Sequence, residues 1–256
     1  MDSHTDTARD VAVDALSTAG PRGLAGERAA DEHQRPLSSF AAVLWDMDGT
    51  MVDTEPAWIE AEFALAERHG GTWTQEDALR LVGNDLLVSG RYLQDRLGID
   101  VSPEQIVEEL LDDVVASVRR EVPWRPGARE LIESLRQAGV PCALVTMSYT
   151  RLVEPILAGL PDDTFAAVVT GDTVDNGKPH PEPYLTAARL LDVLASDCLA
   201  IEDSPTGVTS AEAAGCRVLC VPLHVRVTPG PRTVIVDDLA GLTADSLLPG
   251  PGAPGS

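Results

Sequence analysis

The sequence predicts an α/β fold in which helices cover both faces of a parallel β-sheet, giving three layers. Two observations support this prediction. Residues 40–45 form an unbroken apolar run, which is typical of a strand buried on both faces of a parallel sheet. From residue 124 onwards, similar short apolar runs alternate with segments of helical periodicity. This alternation indicates parallel pairing, because parallel strands need a long crossover connection.

The predicted core comprises residues 39–55 and 123–246. After the opening strand, further strands are expected at residues 141–145, 165–170, 198–201, 217–221 and 233–236. One helix is expected between Gly127 and Gly139. Other helices are expected around residues 153–157, 182–194 and 206–214.

Residues 56–122 lack a strand pattern and are predicted to form an all-helical insert. Pro56 lies in the first turn of its first helix, and residues 102–105 match a capping box with proline at the first helical position. Apolar residues then follow helical spacing up to Val118. Gly83 and Asn84 interrupt the insert. Asn84 is therefore expected either in a substrate-binding loop or in an ordinary turn between helices.

The two ends of the chain have a different composition from the core. Residues 1–38 are rich in Ala, Asp, Gly and Arg with little periodicity, and residues 247–256 are rich in Gly and Pro, so both segments are predicted to be disordered. The first residues lack the basic and apolar regions of a signal peptide, and no apolar run approaches the roughly 18 residues of a membrane span. The four cysteines have no metal-binding spacing and are expected to be buried free thiols, so we predict a cytoplasmic protein without a membrane partner.

The net charge constrains the partners of this protein. Its 19 basic and 41 acidic residues give a formal charge of -22. Such a charge repels phosphate backbones, so we expect no nucleic-acid partner. An anionic substrate would then need a metal ion or a local positive charge to hold it.

Polar residues follow four of the predicted strands. Asp46 and Asp48 follow the first, Thr146 the second, Lys178 lies in the loop after the third, and the 202–207 segment follows the fourth. In a parallel sheet these ends share one edge, where ligands bind in open α/β folds. Asp and Gly are also ordinary turn formers, so the first motif alone leaves a plain turn as an alternative.

The residue types at these strand ends suit phosphoryl transfer. Asp46 is predicted to be the nucleophile, because a carboxylate is ionised at neutral pH and needs no base. Mg²⁺ held by Asp46, Asp203 and the backbone carbonyl of Asp48 would cancel its repulsion with phosphate. Lys178 and Thr146 are expected to bind the phosphoryl group, and Asp48 to act as general acid and base. Lys178 is the only lysine beside 18 arginines, which favours a specific task for a compact ammonium.

The motifs that carry this chemistry are Asp46-Met-Asp-Gly-Thr-Met-Val-Asp53, Thr146, Gly177-Lys178-Pro and Glu202-Asp-Ser-Pro-Thr-Gly207. Together they resemble the four motifs of haloacid dehalogenase-like hydrolases over about residues 40–245. The insert resembles the cap of the branch that contains β-phosphoglucomutase and sugar-phosphate phosphatases. The resemblance implies a Rossmannoid core, a mobile cap and Mg²⁺-dependent transfer through an aspartyl-phosphate. It also implies that Glu202 lies near the metal, as a weaker ligand candidate than Asp203.

Within this family the residues favour a phosphatase of small phosphorylated metabolites, such as sugar or polyol phosphates. Dehalogenases lack the acid at Asp48, and phosphonatases need a cap lysine that is absent here. The mutases carry a histidine at the position of Trp58, which we expect to pack in its helix rather than to contact substrate. A hexose phosphomutase and a non-catalytic binding protein stay as alternatives. Asp53 is expected to order the nucleophile loop, and a monomer is the default state.

Overall fold

The structure of the protein is a computed structural model that describes residues 40–82 and 85–247. The predictions for residues 1–38, for Gly83 and Asn84, and for nearly all of the tail at 247–256 lie outside these residues.

A six-stranded sheet forms the centre of the fold, and every pair of neighbouring strands is parallel. The strand order is β3-β2-β1-β4-β5-β6, so β1 lies in the middle between β2 and β4. The strands are β1 (Ala42–Trp45), β2 (Cys142–Val145), β3 (Ala167–Val169), β4 (Cys198–Glu202), β5 (Arg217–Cys220) and β6 (Thr233–Ile235). The predicted parallel α/β fold is confirmed.

Nine α-helices occur in the part of the chain that the structure describes. They are α1 (Glu55–Arg68), α2 (Gln75–Leu79), α3 (Leu86–Leu97), α4 (Pro103–Arg120), α5 (Ala128–Gln137), α6 (Thr150–Leu157), α7 (Glu182–Leu190), α8 (Pro205–Ala214) and α9 (Ala244–Leu247). The first four lie between β1 and α5, in the region predicted to form the helical insert.

Successive residues of the strands point to opposite faces of the sheet and pack in two separate apolar clusters. Val43 and Trp45 belong to the cluster formed with α5, α6, α9 and the insert. Ala42 and Leu44 belong to the cluster formed with α7 and α8. Since β1 is buried on both faces, its apolar run has no room for polar residues until the strand ends at Asp46.

The ends of several elements differ from the prediction by a few residues. The strand expected at 165–170 is only Ala167–Val169, because Thr170 already caps the short helical turn that follows. The helix expected to reach residue 194 ends at Leu190, where Asp192 adopts a positive φ of 56°. A left-handed residue of this kind cannot continue a right-handed helix.

Two further expectations agree with the structure. All four cysteines are buried and free. The capping box predicted at residues 102–105 is present, with Ser102 accepting from the Gln105 backbone and the Gln105 side chain accepting from the Ser102 backbone. Among the described residues, no helix combines the length and the apolar character needed to cross a bilayer.

The Ser102 cap should contribute measurably to stability. Replacing Ser102 with Ala removes the acceptor for one free N–H at the start of α4 and should lower the free energy of unfolding by about 1 kcal/mol. Urea denaturation measures this, with Ser117→Ala further along α4 as the matched control. The control should be neutral or slightly stabilising, because alanine favours helix interiors. Equal stability of the two variants would contradict the prediction.

Candidate active site

The carboxyl edge of the sheet brings together the polar residues predicted from the sequence. Asp46 directly follows β1, Thr146 follows β2, and Glu202 ends β4 with Asp203 next in the chain. Lys178 reaches the same edge from the loop between β3 and α7. The register aligns Trp45 with Leu144 on one side and with Ile201 on the other, so three strands end at the same level.

Lys178 is at the centre of a buried ionic network. Its Nζ donates to Asp46 Oδ1 at 2.7 Å, to Glu202 Oε1 at 2.7 Å and to the Val145 carbonyl at 3.0 Å. The side chain is only 5% exposed, and three acceptors match the three N–H bonds of an ammonium. Burial lowers the pKa of Lys178, but the charges of Asp46 and Glu202 outweigh this and hold it above its usual value. Lys178 therefore stays protonated.

Three buried carboxylates share this edge and repel one another. Asp46, Glu202 and Asp203 each place an oxygen within 4.8 Å of the others. Burial, followed by the charge of Glu202, raises the pKa of Asp46 to about 7 although Lys178 opposes the shift. Burial and the charge of Asp46 raise the pKa of Asp203 to about 9. One ammonium does not balance three buried carboxylates, so the cluster favours a second cation.

Two details of the structure fit a cation at this cluster. Asp46 Oδ2 is buried and has no hydrogen-bond partner among the described residues, which is costly for a carboxylate oxygen. Gly49 has a φ of 85° and lies so close to Asp203 that a Cβ would overlap its carboxylate. Hard oxygen donors of this type suit Mg²⁺.

Glu202 differs from the two aspartates because its oxygens are already engaged. Oε1 accepts from Lys178 and from the Tyr184 hydroxyl, each at 2.7 Å, while Oε2 accepts from the Asp203 backbone N–H at 3.0 Å. The side chain is fully buried. Gly207 approaches so closely that any side chain there would overlap the Glu202 carboxylate. Glu202 thus holds Lys178 in place.

Asp48 is held by hydroxyl groups rather than by cations. Its Oδ1 accepts from Thr54 at 2.5 Å, and its Oδ2 accepts from Thr146 at 3.0 Å and from Ser148 at 2.8 Å. The Thr146 hydroxyl also accepts from the Ser148 backbone N–H. Asp46 and Asp48 therefore have different surroundings, although only one residue separates them.

A cavity of about 220 Å³ lies over these residues. The core contributes the catalytic candidates, and the insert contributes Glu55, Trp58, Glu62 and Ser89. Trp58 was expected to pack in its helix; it is half-buried against the core and also lines the cavity. The lining residues from the core are Asp46, Asp48, Gly49, Thr54, Thr146, Met147, Ser148, Gly177, Lys178, Asp203, Ser204, Thr206, His224 and Val225.

Comparison with known proteins identifies the family. A family model described as haloacid dehalogenase-like hydrolase matches residues 43–221, well over half of the chain. This chain belongs to the haloacid dehalogenase-like hydrolase family. The resemblance noted in the sequence is thereby confirmed.

Individual relatives of this hydrolase are phosphatases by name. The chain is 36% identical to hexitol phosphatase A of Escherichia coli K12 over 183 residues, covering 70% of this chain and 81% of the relative. It is 33% identical to the phosphorylated carbohydrates phosphatase of Thermotoga maritima over 184 residues, covering 72% and 85%. The crystal structure of CbbY from Rhodobacter sphaeroides in complex with phosphate matches with a TM-score of 0.70 and 27% identity, covering 79% of this chain and 96% of that one.

Several residues that the structure places at the site of this hydrolase were not predicted from the sequence. Arg125 is buried at the return from the insert, where it donates to the Gly49 carbonyl and, at 2.8 Å, to the Val221 carbonyl. Among 18 arginines, no sequence signal distinguishes it. Ser148 and Tyr184 escaped for the same reason, although Ser148 lies only two residues after Thr146.

Asp53 and His224 meet at the rim of the cavity. His224 Nε2 lies 2.9 Å from Asp53 Oδ1, and the Asp53 backbone N–H donates to the Pro123 carbonyl. Asp53 thus ties the loop after β1 to Pro123, where the chain returns from the insert, and to the loop after β5. This arrangement agrees with the expected role of Asp53 in ordering the nucleophile loop, which stays a prediction.

The acidic cluster should make the metal-free enzyme less stable as the pH rises. With a folded pKa raised from 3.8 to about 9, Asp203 contributes stability that is complete below its unfolded pKa and is lost as the pH rises through about 9. Asp203→Asn cannot ionise, so in EDTA its melting temperature should exceed that of the wild type by about 3 °C or more at pH 8. The gap should be smaller at pH 5.

Differential scanning calorimetry measures these melting temperatures. Asp162→Asn, at an exposed position, is the matched control and should melt with the wild type at both pH values. A variant that melts at or below the wild-type temperature at pH 8 would show that Asp203 is not under electrostatic strain.

Proposed function

We propose that this protein is a Mg²⁺-dependent phosphatase that hydrolyses sugar or polyol phosphates through an aspartyl-phosphate on Asp46. The observation that carries the proposal is the pairing of two differently held aspartates over one cavity, Asp46 beside the Lys178 ammonium and Asp48 among three hydroxyls. One environment suits a nucleophile, and the other suits a group that moves protons. The names of the hexitol and carbohydrate phosphatase relatives support the substrate class.

Asp46 and Asp203 would hold the Mg²⁺, with the backbone carbonyl of Asp48 as a further ligand. The unpartnered Asp46 Oδ2 and the raised pKa values of both side chains support this assignment. When bound, the ion supplies positive charge that offsets the repulsion between carboxylate and phosphate. Glu202, predicted as a weaker ligand, is better explained as the residue that positions Lys178.

In the first half of the reaction, the Asp46 carboxylate attacks phosphorus, an O–P bond forms to Asp46, and the bond to the leaving oxygen breaks. Lys178 places its charge beside Asp46 and the incoming phosphoryl group, because Glu202 and the Val145 carbonyl fix its ammonium. Asp48 in its protonated form donates its proton to the leaving oxygen.

In the second half, water attacks the phosphorus of the aspartyl-phosphate while Asp48 accepts a proton from that water. The O–P bond to Asp46 breaks, and phosphate leaves. Thr146 was predicted to bind the phosphoryl group, yet its hydroxyl donates to Asp48. Thr146 can make the two contacts one after the other. When it donates to the phosphoryl oxygen, Ser148 remains as a hydrogen-bond donor to Asp48. Asn84, the predicted substrate contact, lies outside the described residues.

Trp58 favours hydrolysis over the alternative hexose phosphomutase activity. The family's mutases carry a histidine at this position, and here an indole lines the cavity instead. Among the described lining residues, the only imidazole is that of His224, which is paired with Asp53. Water is therefore the acceptor that we assign to the aspartyl-phosphate.

We also propose that the enzyme acts as a monomer in the cytoplasm. Four buried free thiols support a reducing compartment. The charge of -22 supports small metabolites rather than nucleic acid as partners.

Phosphate release from a panel of sugar, polyol and nucleotide monophosphates tests the substrate class. With Mg²⁺ we expect release from sugar or polyol phosphates, and with excess EDTA a loss of at least about 100-fold in rate, because the carboxylate cluster then lacks its second cation. Isomerised hexose phosphate without free phosphate would instead establish the mutase. Release that resists EDTA would contradict the metal assignment.

Asp46→Asn tests the nucleophile and separates catalysis from mere binding. Because an amide cannot form the aspartyl-phosphate, turnover should fall by at least about 1,000-fold. Calorimetric titration with a polyol phosphate should still detect binding. Asp162→Asn, at an exposed position outside the cluster, is the control, and its turnover should match that of the wild type. Full activity of Asp46→Asn would overturn the proposed mechanism.

A further inference from the structure

Glu62 on α1 is a buried carboxyl group that the proposed mechanism does not use. Its side chain lines the cavity, and the residue is only 4% exposed. Oε2 accepts from Trp73 Nε1 at 3.1 Å. Within the described part of the chain, no residue forms a hydrogen bond to Oε1. Because the side chain lines the cavity, Oε1 can form a hydrogen bond to a ligand bound there.

The protonation state of Glu62 limits the kind of ligand that it can bind. Burial raises the pKa of Glu62 to about 8, and the nearby Glu55 adds to the shift while the Trp73 hydrogen bond opposes it. At neutral pH the group is therefore mainly a neutral carboxylic acid, which both donates and accepts hydrogen bonds. Hydroxyl groups have the same dual character. A neutral acid gives no ionic attraction to a cationic ligand.

The basic side chains of the cavity already have partners. In the described lining they are Lys178, bound to Asp46 and Glu202, and His224, which contacts Asp53. The insert supplies Glu55, Glu62 and Asp85 to the lining but no Lys or Arg among its described residues. A second phosphate or a carboxylate on the leaving portion of the substrate would thus face acidic groups without a counter-charge, which is costly in a confined site.

We propose that Glu62 is a specificity-determining residue that hydrogen-bonds a hydroxyl of the leaving portion of the substrate, so that the enzyme accepts polyol or sugar monophosphates and rejects bisphosphates and phosphorylated carboxylic acids. The assignment rests on the phosphatase function proposed above and refines its substrate class. The buried Ser89 hydroxyl, from α3, lines the same cavity and adds a second polar group for a polyhydroxylated chain. Trp58, Leu81 and Leu86 supply apolar surface for its carbon atoms.

Steady-state kinetics on four substrates tests the selectivity of the wild type. We would compare sorbitol 6-phosphate with fructose 1,6-bisphosphate, 2-phosphoglycolate and phosphoethanolamine, in Mg²⁺ at pH 7. The value of kcat/KM for sorbitol 6-phosphate should exceed each of the others by at least about 30-fold. Comparable turnover of the bisphosphate or of phosphoglycolate, or a preference for phosphoethanolamine, would overturn the inference.

Variants at position 62 test the residue itself, with p-nitrophenyl phosphate as a substrate that lacks hydroxyls on its leaving group. Glu62→Leu should raise KM for sorbitol 6-phosphate by at least about tenfold and leave kcat/KM for p-nitrophenyl phosphate within about threefold. Glu62→Gln keeps an acceptor for Trp73 and a hydrogen-bonding group towards the cavity, so it should recover most of the loss. Glu60→Leu, exposed on the same helix, should match the wild type.

Comparing sorbitol 6-phosphate with p-nitrophenyl phosphate distinguishes a failure of the Glu62 assignment from a failure of the phosphatase function. Equal losses of Glu62→Leu on both substrates would show a structural role and overturn the specificity assignment. If wild-type enzyme released no phosphate even from p-nitrophenyl phosphate, the phosphatase function would fail. Calorimetric binding of sorbitol 6-phosphate to the wild type and to Glu62→Leu would then still decide the role of Glu62, since unchanged affinity would overturn it and a tenfold weaker one would support it.

Discussion

The active site depends on one buried ammonium placed among three buried carboxylates. Lys178 pairs with Asp46 and Glu202 and offsets part of the cost of burying them, although burial still raises the pKa of Asp46 to about 7. Breaking such a pair by removing one partner leaves an uncompensated buried charge, which is strongly unfavourable. The Lys178 ammonium bonds to Asp46 and Glu202 rather than to Asp203. Burial and the charge of Asp46 raise the pKa of Asp203, and the charge of Lys178 offsets this only in part. This excess of negative charge supports the proposal that the cluster binds a further cation.

The position of β1 in the middle of the sheet explains why these charges can meet. With β2 on one side and β4 on the other, the residue after β1 has neighbours from two strands whose sequence positions differ from its own by about 100 and about 155. Parallel pairing puts all three strand ends at the same edge. Arg125 then anchors the loop after β1 through the Gly49 carbonyl. A rigid frame thus holds the reacting groups, as pre-organised catalysis requires.

The insert shapes the chemistry in a different way. It contributes apolar and acidic side chains to the cavity, and Glu62 is buried there at the expense of stability. Local arrangements that lower stability are common at functional sites, because selection keeps them for their effect on the substrate. In the proposed function, the core supplies the reacting groups and the insert contacts the leaving portion of the substrate.

The sequence by itself determined the class of fold and was enough to predict the main residues of the proposed mechanism. Unbroken apolar runs are recognisable because a strand buried on both faces excludes polar residues, and Asp46, Asp48 and Asp203 stand out because they end such runs. Lys178 stands out as the only lysine of the chain.

Only the tertiary structure decided which of many similar residues complete the site. Arg125, Ser148, Tyr184 and Glu62 belong to common residue types, and only Ser148 lies beside a residue that the sequence singles out. Each acquires its role through a partner distant in sequence, such as Gly49 for Arg125 or Asp48 for Ser148. Likewise, the division between Glu202 as the anchor of Lys178 and Asp203 as the residue with the strained charge follows from burial and hydrogen bonding. These properties arise only when the chain is folded, because they depend on which groups lose water together.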